Sequence, residues 1–164
     1  LAASTGSLAG RDPSDHGLTF LPFLGGERSI GWKPGARGVL SGLTFATTPL
    51  DIRQAALEGV AFRLAAIAEL LPDVREIVAT GGGLLHDPAW IQIMADALER
   101  PMLVSGIAEA SLRGAAVSVL QRTGHEPVDA PLAGLFRPRE EAVAAYRSAR
   151  EEQRRLYEVL RGQQ

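Results

Sequence analysis

The chain has 164 residues, 46% hydrophobic and 22% charged, the size and balance of one soluble globular domain rather than a disordered segment. A formal net charge of -2 offers no basic footprint for nucleic acid, and the absence of cysteine excludes a disulfide framework, a thiolate metal site and a cysteine nucleophile. No apolar run approaches the roughly 20 residues of a membrane helix, and no charged and apolar leader precedes the body of the sequence, so a cytoplasmic protein is expected.

In chain order, the opening "LAASTGSLAGRDPSDHG" is small, polar and turn-rich and begins at Leu1 rather than methionine. Residues 1–17 are therefore expected to be a linker or cut end, and residues 18–164 a single domain that is part of a larger protein. Residues 18–43 carry short apolar runs broken by Gly and Pro, which predicts short strands and loops, with "RGVLSGLTF" as the main strand. In "GGERSIGW", Glu27 and Arg28 are expected to form a local ion pair and Trp32 to pack in the core, with a cleft-lining role as the unassigned alternative.

A helix follows over residues 48–72. Thr48 is placed to cap, Pro49 to occupy the first helical position and Asp51 to complete a capping box. Ile52, Ala55, Ala56, Val60, Leu64, Ile67, Ala68 and Leu71 recur at helical spacing until Pro72. Residues 74–80 read as a strand leading to three glycines. Asp87 and Pro88 then open a second helix with a stripe of Trp90, Ile93, Met94, Ala97 and Leu98. "PMLVSG" predicts the next strand, and residues 109–123 a small-residue helix with Leu112, Ala115, Ala116, Val119 and Leu120 on one face. "GHEPVDAPLAGLF" reads as a Pro-containing connection. Residues 138–162 read as a charged helix docked at the domain edge by Val143, Tyr146, Leu156 and Leu160. This alternation predicts an α/β domain with a central sheet and helices packed on it.

Three glycines at a strand end permit positive φ and close approach to the peptide groups, and the helix beyond presents its N–H groups to an anion. A phosphate or nucleotide contact and a tight β-to-α turn that binds nothing both fit these residues. The only lysine, Lys33, lies between Trp32 and Pro34, so no Walker loop exists, and His86 stands where the dinucleotide fingerprint needs its third glycine. His16, His86 and His125 are far apart in sequence, without HExxH spacing, and are expected at the surface or in loops. No G-x-S-x-G elbow occurs. Glu58 and Asp96 could act as general bases, but their helical positions favour capping, solvent contact or a local ion pair.

"LPFLGGERSIGW", "ARGVLSGLTFATTPLDIRQAALEGVAF", "TGGGLLHDPAWIQIMAD" and "EASLRGAAVSVL", in that order, resemble the C-terminal half of an FGGY-family carbohydrate kinase over residues 18–123. Most specific is "SGL" followed by Asp51, Ile52 and "AALEGV" at 55–60; the wording is closest to gluconate kinases, then xylulose kinases. The resemblance implies an actin-like, ribonuclease-H-like ATPase domain, with phosphate passing from ATP, with Mg²⁺, to a hydroxyl of a sugar acid, ketose or polyol. It assigns nucleotide contact to Gly82 and Gly83 with Gly81 in support, and to Asp87, where the family often carries Asn or Ser. It assigns no catalytic residue to this chain: the base and the D-x-G-T-x-S phosphate loop belong to the N-terminal kinase domain, and "STGS" at 4–7 is too short and badly placed to be the second phosphate loop. The expected partners are that missing domain and a small sugar or sugar acid, with a homo-oligomer left open. The alternative expectation is a stand-alone, non-catalytic nucleotide-binding or interaction module of the same fold.

Overall fold

The computed structural model describes residues 8–161. The "STGS" stretch and the first seven residues of the expected linker lie outside them. Residues 8–17 were also expected to be linker, yet Leu8 belongs to the main core and the residues after it are bound along a helix.

Strands β1 (Thr19–Leu21) and β2 (Val39–Ser41) pair antiparallel, with Thr19 opposite Ser41. "RGVLSGLTF" keeps only three residues extended because the chain then turns: the Thr44 N–H donates to Thr47 Oγ1 at 2.9 Å and the Thr47 N–H to the Thr44 carbonyl at 3.1 Å. Helix α1 (Pro49–Ala68) starts as its sequence predicts. Asp51 N–H donates to Thr48 Oγ1 at 3.2 Å and Thr48 N–H to the Asp51 carboxylate at 2.8 Å, a reciprocal cap.

The buried surface of α1 departs from the expected stripe. Ile52 and Leu64 are 40% and 39% exposed, while Gln54, Ala55, Glu58, Gly59, Ala61, Phe62 and Ala65 are buried. The helix is flanked by β1 and by two later helices, so burial is not confined to one narrow face. Gly59 makes the β1 contact possible: a Cβ there would lie 2.6 Å from the Phe20 carbonyl oxygen.

Strand β3 (Ile77–Ala79) leads through Gly81 into a single helical turn, α2 (Gly82–Leu85), and then α3 (Pro88–Leu98). α3 buries Ile91, Ile93, Met94, Ala95, Asp96 and Ala97, more than one stripe, while Trp90 and Leu98 are only partly buried. Strand β4 (Met102–Ser105) pairs parallel with β3, Ile77 opposite Met102. Helix α4 (Ala110–Arg122) forms where expected but buries no residue; Leu112 and Val119 are 70% and 62% exposed, and no described element makes an extensive contact with the helix.

The Pro-containing connection holds a strand that the sequence reading missed. β5 (Leu132–Phe136) pairs antiparallel with β4, Met102 opposite Phe136, completing the order β3-β4-β5. Its "LAGLF" has weak strand propensity, and the ladder to β4 supplies what the local sequence lacks. Helix α5 (Glu140–Arg161) closes the fold.

The main core joins α1, α3, α5 and one face of the sheet through Phe62, Ile91, Met94, Met102 and Tyr146, with the Phe62 and Tyr146 rings edge-on at 5.4 Å. A smaller cluster of Leu21, Phe23 and Ala36 sits under Leu156, Tyr157 and Leu160 of α5. Thus α5 contributes to both clusters rather than only resting at an edge. Trp32, expected in the core, is 74% exposed at φ 53°. Glu27 pairs not with Arg28 but with Arg63 at 2.6 Å, a guanidinium held between the Phe23 and Tyr157 rings.

Candidate nucleotide-binding turn

The three glycines occupy the junction where β3 hands over to α2. Gly81 has φ 92° and ψ 137°, a conformation that side-chain-bearing residues rarely adopt, and its carbonyl accepts the N–H groups of Leu84 and Leu85 at 3.2 and 3.0 Å. Gly82 and Gly83 are exposed, and the first N–H groups of such a turn precede any helical carbonyl that could receive them. A Cβ at Gly81 or Gly83 would meet nothing within 4 Å, and at Gly82 only the His86 ring at 3.7 Å. The peptide groups of the turn are therefore open to a ligand, as a nucleotide contact requires. His86 Nδ1 donates back to the Gly82 carbonyl and closes the turn, a role with no signature in the sequence.

Asp87 is the N-cap of α3, with Oδ1 accepting the Trp90 N–H at 3.3 Å. Its other oxygen accepts from Arg53 at 2.8 Å, so the carboxylate expected to touch a nucleotide also ties the turn to α1. Trp90 Nε1 donates to the Leu57 carbonyl at 3.3 Å and makes a second tie between the same helices. Arg53 is the residue that sequence reasoning missed here. Its only clue is its position two residues after Asp51 in the second block.

The acids singled out as alternative bases have structural partners. Asp96 is fully buried and accepts from Gln92, from the Arg139 N–H and from the Arg139 guanidinium at 2.7 to 3.0 Å, with the 2.7 Å contact closing an ion pair. Glu58 is 1% exposed and accepts from Gln54, Ser14, His16 and Tyr146. Of the capping, solvent contact or local ion pair expected for both, neither carboxylate is capping or solvated, and each is buried against an ion-pair partner more than 40 residues away. Burial pushes the Glu58 carboxyl up, but hydrogen bonds from His16, Gln54 and Ser14 outweigh it and hold the group below its ordinary value. Burial, together with the Glu58 charge, raises the Tyr146 phenol strongly.

His16 lies in a loop as expected, but its side chain is only 1% exposed and faces Glu58. His86 and His125 are exposed. Among the described residues no group of three His, Cys, Asp or Glu side chains is placed to hold a metal. No helix among them is long and apolar enough to cross a membrane. A groove of about 580 Å³ between α1 and α5, lined by Arg63, Arg150 and Tyr157, is away from the glycines, which lie at an open surface.

A helix-flanked sheet with an open glycine turn at a strand's end defines an α/β domain. A family model for the FGGY family of carbohydrate kinases, C-terminal domain, matches residues 2–120. The chain is 37% identical over 117 residues to a gluconokinase of Bacillus subtilis, covering 68% of this chain and 23% of that protein. It is 35% identical over 119 residues to a glycerol kinase of Nitrosomonas eutropha, covering 70% and 24%. A crystal structure of a xylulose kinase from Brucella ovis superposes with TM-score 0.78 at 26% identity over 94% of this chain and 34% of that one. The chain belongs to the FGGY family of carbohydrate kinases and has the actin-like ATPase fold of that family. It spans about a quarter of the length of these curated relatives.

Proposed function

We propose that this chain is the ATP-binding part of a carbohydrate kinase that transfers the γ-phosphate of ATP to a hydroxyl of a sugar acid, ketose or polyol, with gluconate favoured. The observation that carries this reading is the glycine turn at residues 81–83, exposed and without side-chain cover, inside the region matched by the family. The gluconokinase relative supports gluconate among the acceptors.

The bound nucleotide supplies the phosphoryl group. Gly82 and Gly83 present backbone to it without a Cβ in the way, Gly81 sets the direction of the turn, and Asp87 with Arg53 holds the turn against α1. Phosphoryl transfer depends on positioning and charge stabilisation around both reactants, and this chain carries no assigned base for the acceptor hydroxyl. The chain alone is therefore expected to turn over no sugar, and product above a blank with ATP and gluconate or xylulose would contradict that.

The test of the site is an ADP titration of the full-length enzyme and its Gly83→Val variant. A branched side chain in the space of approach should weaken binding while the fold is retained. Unchanged ADP affinity in a folded variant would leave the turn with a purely structural role. Comparing kcat/KM for gluconate, xylulose and glycerol tests the acceptor, and a preference for either of the last two would remove gluconate.

A further inference from the structure

We infer that residues 11–18 form a strap latched to α1 by the ionised Glu58 carboxylate, so that protonating or replacing this one group frees the strap while α3 stays folded. Asp51, Gln54 and Glu58 follow one another along one face of α1 at three- and four-residue spacing. The strap runs along that face. Arg11 pairs with Asp51 and donates from Nε to Gln54 Oε1 at 2.6 Å, and Gln54 in turn donates to the Asp12 carbonyl at 2.8 Å. One turn further, Ser14 donates its N–H and its hydroxyl to Glu58 at 3.2 and 3.0 Å.

His16 Nδ1 accepts the Leu18 N–H at 2.9 Å, which leaves Nε2 as the donor to Glu58 at 3.0 Å. Gln54 Nε2 at 2.8 Å and the Tyr146 hydroxyl of α5 at 3.0 Å complete the set. Every group facing the carboxylate donates to it, and three of them, the Ser14 N–H, the Gln54 amide nitrogen and His16 Nε2, cannot accept. A proton added to Glu58 would point at one of them, and a glutamine amide would do the same with two hydrogens. Only the Ser14 and Tyr146 hydroxyls could turn to accept, and each would then cease to donate, so either change removes at least one bond from the latch.

The titratable or charged groups facing Glu58 are His16 from the strap and Tyr146 from α5. The Arg11–Asp51 pair lies one turn away, and the Asp96–Arg139 pair lies behind Tyr146. Between α1 and β1 lies the neutral Gln153 of α5, which donates to the Phe20 and Gly59 carbonyls. Docking holds the Glu58 carboxyl below its ordinary value. The latch is accordingly complete above the unfolded-state pKa of about 4.3 and is lost as pH falls through the lower, folded value. Leu8, in the main core, and Leu18, each 8% exposed, bound the strap, and its contacts to α1 between them are the polar ones above.

Hydrogen exchange of the chain, corrected for intrinsic rates and followed by mass spectrometry at about pH 7 and at about pH 2, far below the ordinary carboxylate range, reads the latch directly. Protection of residues 11–18 should fall in acid by about tenfold for each unit of pKa depression, with α3 unchanged. Glu58→Gln should reproduce the loss at neutral pH. Equal strap protection at both pH values, or parallel loss in strap and α3, overturns the inference. If Glu58→Gln does not fold, His16→Asn removes one donor and keeps the carboxylate. It should speed exchange in the strap alone at neutral pH, and unchanged exchange there overturns the latch.

Discussion

Helices α3 and α4 have similar lengths and both alternate small with apolar residues, yet α3 buries six of its residues and α4 buries none. The difference lies in what stands opposite. α3 is sandwiched between α1, α5 and the β3-β4-β5 sheet, and its buried Asp96 is received by Arg139. No described element makes an extensive contact with α4, and Leu112, Val119 and Leu120 remain at the surface. Periodicity tells which residues of a helix can share a face. It does not say whether that face is covered.

The comparison is most easily broken at Ile91. Ile91→Ala, at 1% exposure, should cost about 3 kcal/mol in urea unfolding. A loss below about 1 kcal/mol would mean that α3 is not the centre of the core. A smaller loss, about 2 kcal/mol, is expected for Gly59→Ala, whose new methyl would press on the Phe20 carbonyl and force α1 away from β1. An unchanged melting temperature would refute that close approach.

Below these stands Gly83→Ala, at an exposed helical position with open space around it, which should stabilise the chain by about 0.5 kcal/mol or less. A marked loss in Tm would show that the glycine is needed by the turn itself rather than by a ligand. The smallest effect belongs to α4. Leu112→Ala should change stability by no more than about 0.5 kcal/mol, because its side chain is already 70% exposed. A cost like that of Ile91→Ala would show that the α4 face is covered in solution, and the contrast between the helices would disappear.

The candidate site was legible to the same degree as its local chemistry. Positive φ at Gly81 and the cap at Asp87 follow from residue type and spacing, and the glycine block carried the family resemblance. The Arg53–Asp87 tie joins residues 34 positions apart, and the His86–Gly82 closure depends on a rotamer, so neither had a local signature. Trp32 and His16 show the limit from opposite sides. A large aromatic lies exposed and a histidine lies buried, because neighbours distant in sequence decided each case.

By itself the sequence determined the reciprocal cap of α1, the strand-glycine-helix order and the membership of the FGGY family. Those features rest on short-range hydrogen bonding, side-chain period and residue identity, all written within a few turns of chain. Tertiary structure alone decided that "LAGLF" is a strand, that α4 is uncovered and that Glu58 is a buried acceptor for both ends of the described chain. Ladder pairing, burial and the donors around a carboxylate depend on segments that meet only after folding.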